Sequence, residues 1–348
     1  MNAQRPPRDM QEFEYPLPDE AIAQMPAVPR DSAKLLVDKG PDEPPQHLTV
    51  ANLPDQLQAG DLLVLNETSV IPARLPLRKS TGGAVEVFLL EPEGTGWTAL
   101  VRPGRRVKSG TQLRSDRDSA LEVLIGDEFG QDGRRTVQVF HDGQPILQPT
   151  DCYRLSVAGE SPLPPYITSK GHSPDRYQTV YARTPGSVAA PTAGLHLTKD
   201  LLEKIEAIGV SIAKIDLVVG LDTFRPVTVD NPADHVMHSE RYSVSNETWE
   251  ACQTAKRVVA VGTTTVRALE SAARGPLAGR TDLFLRRGSQ FKIVDSMMTN
   301  FHMPKSTLLM MIDAFIGARW KLLYQEALDN QYRFLSFGDA MLLHRMSN

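Results

Sequence analysis

Four short stretches of this chain gather residue types able to move protons or hold an anion. HVMHSERY (235–242) concentrates His235, His238 and Glu240. Histidine titrates near working pH, so such a cluster suits proton transfer. The His-x-x-His spacing would put both rings on one face of a helix with Glu240 as a third metal ligand. Glu240, however, stands outside the HExxH arrangement, and no metal is expected. VVAVGTTTVRALES carries Gly262, Thr263, Thr264 and Arg267, and MMTNFHMPKST carries Asn300 and His302. Each reads as a strand end turning into a helix, where free N–H groups favour a carboxylate or a phosphate. GSVAAPTAGLHLT (186–198) holds Gly186, Ser187, Thr192, Gly194 and His196 in a run without charge or bulk. Side chains that small do not fill a core, which points to a backbone laid against something.

Each stretch also has a purely structural explanation. A Gly-Thr-Thr-Thr turn serves equally as a helix cap, and it lacks the lysine of a nucleotide-binding loop. The Gly186–Gly194 run serves equally as a tight connection. His302, between Phe301 and Met303, suits a hydrogen-bonded core position, and HVMHSERY suits a surface turn. A fifth stretch, RPGRRVKSG, sets Arg102, Arg105, Arg106 and Lys108 on one loop, with Arg134-Arg135 and Arg286-Arg287 adding pairs. A charge run is ordinarily a solvated loop, yet arginine also contacts phosphates and stacks on bases, so a β-barrel presenting it would make an RNA platform.

The elements that must position these residues fall into two textures. Between 59 and 150 come short runs of β composition: DLLVLN, ARLPLR, AVEVFLLE, WTALVR, ALEVLIG and RRTVQVF. Gly-containing turns separate them, which predicts a small barrel or sandwich. Residues 1–58 and 151–348 alternate instead. RDSAKLLVD, VSIAKIDLVVG and KRVVAVG read as strands, and KDLLEKIEAIG, NETWEACQTAKR, TTVRALESAAR and MPKSTLLMMIDAFIG as helices. Thr198 is the expected cap of the first and Gly209 its stop, while Pro304 is expected near the start of the last. A short helix is expected in EYPLPDEAIAQMP, ended by Pro26. The predicted fold is therefore α/β: a discontinuous catalytic domain (1–58 and 151–348) with an inserted, barrel-like all-β domain (59–150). Open sheets of this kind bind ligands at the carboxyl ends of their strands.

Composition narrows the function classes. A chain of 348 residues with 41% hydrophobic and 23% charged residues can bury a core. A net charge of -4 argues against bulk attraction to nucleic acid but leaves room for a local basic patch. Two cysteines, Cys152 and Cys252, are too few for a disulfide framework. The first residues lack a signal-peptide core, and STLLMMIDAFIGARW is too short to span a bilayer. A cytoplasmic, membrane-free chain is expected.

Taken in order, PLPPYI (162–167), DRYQTVYA (175–182), GSVAAPTAGLHLT, HVMHSERY, AVGTTTVRALES, TNFHMPKSTLLMMIDAFIG and YRFLSFGDAM (332–341) resemble the S-adenosylmethionine:tRNA ribosyltransferase-isomerase family of queuosine biosynthesis. GDLLVLNETSVIPARL, TGGAVEVFLL and WTALVRPGRRVKSG extend the resemblance toward the N-terminus. It implies transfer and rearrangement of the ribosyl part of S-adenosylmethionine onto 7-aminomethyl-7-deazaguanine at the wobble position of tRNA. Epoxyqueuosine forms, and adenine and methionine leave. The partners implied are that tRNA and S-adenosylmethionine, the latter as co-substrate with no bound cofactor; the chain is expected to act as a monomer.

On that resemblance His196, His238, Glu240 and His302 are expected around the reacting centre. Thr263, Thr264 and Arg267 would orient a methionyl carboxylate or a phosphate, with Gly186, Ser187, Thr192, Gly194, Gly262 and Asn300 lining the substrate. Arg102, Arg105, Arg106 and Lys108 would meet tRNA. The chain departs from the family pattern at Val218, where histidine is common, at Asp222, where glycine is common, and at Ser69, where arginine is usual. A divergent member is the reading preferred over a paralogue that cleaves S-adenosylmethionine with a small acceptor, or a non-catalytic RNA-binding protein.

Overall fold

The computed structural model describes residues 9–129, 133–169, 174–220 and 227–346. They divide into two compact units, one of Met1–Thr68, Pro164–Ala182 and Pro191–Asn348, the other of Ser69–Leu163 and Arg183–Ala190.

The first unit is built on a mixed sheet in which, among the described residues, nine strands pair. Its centre is four parallel strands: β1 (Asp61–Asn66), β2 (Ser211–Leu217), β3 (Arg257–Val261) and β4 (Ser296–Asn300). β1 lies between β2 and β3, and β4 flanks β3. All six residues of β1 are buried, as a parallel strand covered on both faces requires. DLLVLN thus belongs to this sheet and not to the β-rich insert, which moves the expected boundary at 59 to the far side of this strand.

Helices pack against the sheet for reasons visible in their ends. In α1 (Lys199–Ala207) the Thr198 hydroxyl accepts from the Leu201 N–H, and Gly209, at φ +85, stops the helix as expected. Leu201 and Ile205 of α1 enter a core shared with Leu63, Leu65, Val259 and Val261. Ser245 caps α2 (Asn246–Thr254) in the same way. α3 (Thr263–Ala272) begins at Gly262, at φ 90, with no side-chain cap. α4 (Thr307–Ile316) starts later than Pro304 suggests: the Ser306 hydroxyl accepts from Leu309 N–H and sets the first turn. α5 (Trp320–Asp329) follows. The helix expected before Pro26 is only a 3₁₀ turn, Asp19–Ala21. Among the described residues no helix is long and apolar enough to cross a membrane.

The second unit is an antiparallel barrel. Arg134–His141 pairs with Gly96–Arg102 on one side and Leu121–Phe129 on the other, closing a ring completed by Ala84–Glu93, Arg74–Lys79 and Gln112–Arg114. Closure removes free edges. Its alternating inward residues, among them Val85, Val87, Ala99, Val123, Val137 and Val139, are buried. Trp97 is fully buried and donates its indole N–H to Ile146 O at 2.8 Å.

Candidate active site

The carboxyl ends of β1 and β2 and the first turn of α3 are tied together by one side chain. Asn66, fully buried, donates to Leu217 O (3.0 Å) and to Thr264 Oγ1 (3.3 Å). Its carbonyl accepts from the N–H groups of Thr68 (3.2 Å) and Leu217 (3.1 Å). The amide therefore spends its bonding capacity on holding three elements in register. Because Thr264 Oγ1 accepts from Asn66, its own proton is left to be donated elsewhere. A strand-end asparagine reads in sequence as a turn residue, which is why Asn66 was not singled out.

Beside this junction is a cavity of about 220 Å³. One wall is polar: Thr263, Thr264 and Arg267 from the first turns of α3, with Glu240, His238 and His235. Residues 263, 264 and 267 share a helix face by their spacing. The rest of the lining is mostly apolar: Met237, Leu283, Phe284, Leu285, Leu308 and Met311, with Thr228 and Thr307. Nothing in the spacing of those apolar residues marked them, since they come from loops and the opening turns of α4.

Arg267 and Glu240 are each 8% exposed. Arg267 Nη1 donates to Glu240 Oε2 at 2.6 Å, and Nη2 donates to His238 O (2.8 Å) and Thr281 O (3.2 Å). Glu240 Oε1 accepts from Gly220 N–H at 3.1 Å. Arg267 thus anchors the strand that begins at Glu240 and the backbone of His238. Its Nε–H has no hydrogen-bond partner among the described residues. At Gly262 a residue without a side chain opens α3, so the first-turn N–H groups of Thr263 and Thr264 are available to a ligand, and the helix dipole favours negative charge there. His235 and His238 lie on an irregular segment rather than a helix, yet both reach the cavity. Burial pushes the His235 pKa down, and the neighbouring His238 pushes it further.

The two other expected histidines are placed differently. His196 is buried, with Nδ1 at 3.0 Å from Ala193 O and Nε2 at 2.8 Å from Gly338 O. Both ring nitrogens face the chain's own carbonyls, and burial lowers its pKa despite them. His302 Nε2 sits 2.9 Å from Thr299 Oγ1, and burial pushes its pKa down to about 3. Its backbone is clasped as well: its carbonyl accepts from Tyr15 OH (2.5 Å) and its N–H donates to Tyr324 OH (3.0 Å). Neither histidine lines the cavity.

Part of the small-residue run packs into the core. Ala193 and Leu197 belong to the core cluster around α1. A Cβ on Gly194 would lie 2.0 Å from Tyr181 OH, so glycine is required for that tyrosine to pack. Thr192 donates to Asn300 Oδ1 at 2.9 Å, and Asn300 Nδ2 donates to Leu335 O at 3.2 Å. Gly186 and Ser187 lie in the second unit, in the strand Thr184–Ser187. Within 192–197 the side chains of Thr192 and His196 bond to other parts of the chain, while the Tyr181 hydroxyl beside Gly194 has no hydrogen-bond partner among the described residues.

In the second unit Arg102, Arg105, Arg106 and Lys108 are all exposed, around the 3₁₀ turn Gly104–Arg106. Arg135 beneath them donates to Val107 O at 2.5 Å and fixes the loop. Val218 N–H donates to Arg241 O at 2.9 Å just past β2. Asp222 lies outside the described residues, and nothing in the structure explains serine at 69. Among the described residues no group of three or more His, Cys, Asp or Glu is placed to hold a metal ion.

Comparison with known proteins agrees over the length of the chain. The sequence model of a family described as "Queuosine biosynthesis protein" matches residues 10–343. An S-adenosylmethionine:tRNA ribosyltransferase-isomerase of Thermotoga petrophila is 47% identical over 343 residues, covering 95% of this chain and 98% of the relative. That of Staphylococcus epidermidis is 45% identical over 347 residues, covering 96% and 99%. A crystal structure of S-adenosylmethionine tRNA ribosyltransferase from Thermotoga maritima superposes with a TM-score of 0.53 at 37% identity, covering 95% of this chain and 99% of that one.

Proposed function

We propose a specific reaction on the premise that the chain belongs to the queuosine biosynthesis protein family and is by class a transferase-isomerase. In this reading it moves the ribosyl group of S-adenosylmethionine onto 7-aminomethyl-7-deazaguanine in tRNA and rearranges it to epoxyqueuosine, releasing adenine and methionine. The observation that carries the reading is the cavity at the carboxyl edge of the parallel strands. Donors from α3, a buried Arg267–Glu240 pair and two histidines converge there.

The chemistry asks for such a set. The sulfonium acidifies the ribose 5′ carbon, so a positioned base can remove its proton; adenine then leaves and must be protonated, and the acceptor amine must be neutral to attack. His238 and His235 line the cavity and carry exchangeable protons for these transfers. Glu240, held by Arg267 and Gly220, stabilises positive charge. Thr263, Thr264 and Arg267 orient an anionic group of a substrate. His196 and His302, with Thr192 and Asn300, act by holding their loops, and the exposed arginines with Lys108 on the barrel meet the tRNA backbone. No bound cofactor is part of this reading.

The test is to mix the purified chain with S-adenosylmethionine and tRNA bearing 7-aminomethyl-7-deazaguanine, then follow adenine release and nucleoside mass. Adenine with the epoxyqueuosine mass supports the reaction; neither, with a relative active in parallel, rejects it. For the barrel, the paired change Arg105→Ala and Arg106→Ala is expected to flatten the salt dependence of tRNA binding by roughly 1.4–1.8 in log–log slope, the share of two phosphate contacts. An unchanged slope would remove this loop from the RNA site.

A further inference from the structure

We infer that the cavity holds the amino-acid tail of S-adenosylmethionine, with the adenosyl part and the RNA outside it; the inference rests on the reading above and names what part of the substrate this site takes. The argument is one of charge and shape. The polar wall offers donors for one anion: the first-turn N–H groups of Thr263 and Thr264 and the Thr264 hydroxyl, with the cationic Arg267 one turn further along α3. The same wall carries one buried carboxylate, Glu240, and the imidazole of His235, kept toward its neutral form by burial. A zwitterion matches both halves. Its carboxylate meets the donors of α3, and its ammonium meets Glu240 and His235, each able to accept.

The other candidate occupants fit less well. A tRNA phosphate would bring a negative group against Glu240 with nothing cationic of its own to offset it. Adenine is neutral and supplies neither an anion for the α3 donors nor a cation for Glu240. The apolar lining bears on this as well. Met237, Leu283, Leu285, Leu308 and Met311 are flexible aliphatic or thioether side chains, suited to the methylenes and S-methyl group of a methionyl chain, and the aromatic Phe284 is already in edge-to-face contact with His235.

Calorimetric titration of the full chain, with and without tRNA, separates these occupants. The probes are S-adenosylmethionine, 5′-methylthioadenosine (which lacks the amino-acid tail), L-methionine, adenine and inorganic phosphate. S-adenosylmethionine is expected to bind at least about tenfold more tightly than 5′-methylthioadenosine, as loss of charge-assisted hydrogen bonds implies. Thr264→Val should weaken S-adenosylmethionine by about tenfold and leave 5′-methylthioadenosine unchanged. Met311→Trp, which fills the apolar side without touching the charges, should abolish competition by L-methionine.

Equal weakening of both nucleosides by Thr264→Val, or competition by adenine that Met311→Trp removes, would put the adenosyl end in the cavity. That result overturns the inference while adenine release in the turnover assay leaves the reaction standing. Displacement of S-adenosylmethionine by inorganic phosphate but not by L-methionine would assign the donors to RNA and overturn it likewise. Absence of any S-adenosylmethionine binding, with or without tRNA, by a folded chain would remove the reaction and the inference together.

Discussion

The cavity beside α3 and the small-residue loop at 191–197 contain similar materials: glycine, threonine, histidine and backbone near a helix start. They differ in where their hydrogen-bonding capacity goes. In the loop the side chains of Thr192 and His196 bond within the chain: His196 faces two carbonyls and Thr192 donates to Asn300. The Tyr181 hydroxyl that fills the space at Gly194 is buried without a hydrogen-bond partner among the described residues. At the cavity Gly262 provides no cap for α3, and Arg267 keeps a buried N–H without a partner among the described residues. A buried polar group that the fold has already satisfied holds shape; one left to a ligand can recognise something.

The largest expected effect comes from removing one member of the cavity's buried pair. Arg267→Ala strands the Glu240 carboxylate and should cost about 3–5 kcal/mol in urea unfolding, with loss of adenine release. Replacing both, Arg267→Met with Glu240→Leu, should recover most of that stability, because an apolar pair of similar volume can substitute for a buried ion pair. It should not recover turnover. A double variant that did turn over would make the pair structural in the way His196 is, and the contrast between the two regions would collapse.

A smaller effect, of about 1–3 kcal/mol, is expected when the loop is overpacked by Gly194→Ala. The added methyl meets the Tyr181 hydroxyl, so combining it with Tyr181→Phe should be more stable than Gly194→Ala alone. Thermal unfolding of the four proteins of this cycle measures the coupling. The KM for S-adenosylmethionine should move less than it does on Thr264→Val. The reverse order would return the loop to the substrate site.

Much of this arrangement is legible in the sequence where local chemistry decides it. Thr198 and Gly209 bound α1 because a hydroxyl cap and a left-handed glycine act locally. The barrel strands alternate because one face is buried. Where pairing decides, local signals fail. DLLVLN was placed with the barrel strands, although its unbroken apolar run is the mark of a parallel strand covered on both sides. For the site, Gly262, Thr263, Thr264 and Arg267 are legible as candidates because a strand-to-helix turn carries a recognisable pattern, and His238 and Glu240 because they stand in a histidine-rich cluster. Asn66 and the apolar lining are not, since their role comes only from what the fold brings opposite them. For His196 and His302 the sequence leaves a chemical and a structural role open, because a histidine's type does not disclose what its nitrogens bond.

The smallest expected effect is a titration shift, and it sharpens the same contrast. His235 is held below the ordinary histidine range first by burial and second by the charge of His238. Removing that charge by His238→Asn should therefore raise the His235 midpoint, and because burial remains, it should stay below the ordinary value near 6.5. The imidazole C–H resonance of His235, assigned by its own substitution, reads this directly. His302 should show no midpoint at all between about pH 5 and 8, since burial takes it to about 3. The sign for stability follows: a group neutral in the fold but able to charge when unfolded favours the fold fully above the unfolded value, and the advantage is lost as pH falls from about 6.5 toward 3. If His235 failed to move on His238→Asn, the two rings would not sense each other across the cavity, and a shared role in proton transfer would lose its electrostatic basis.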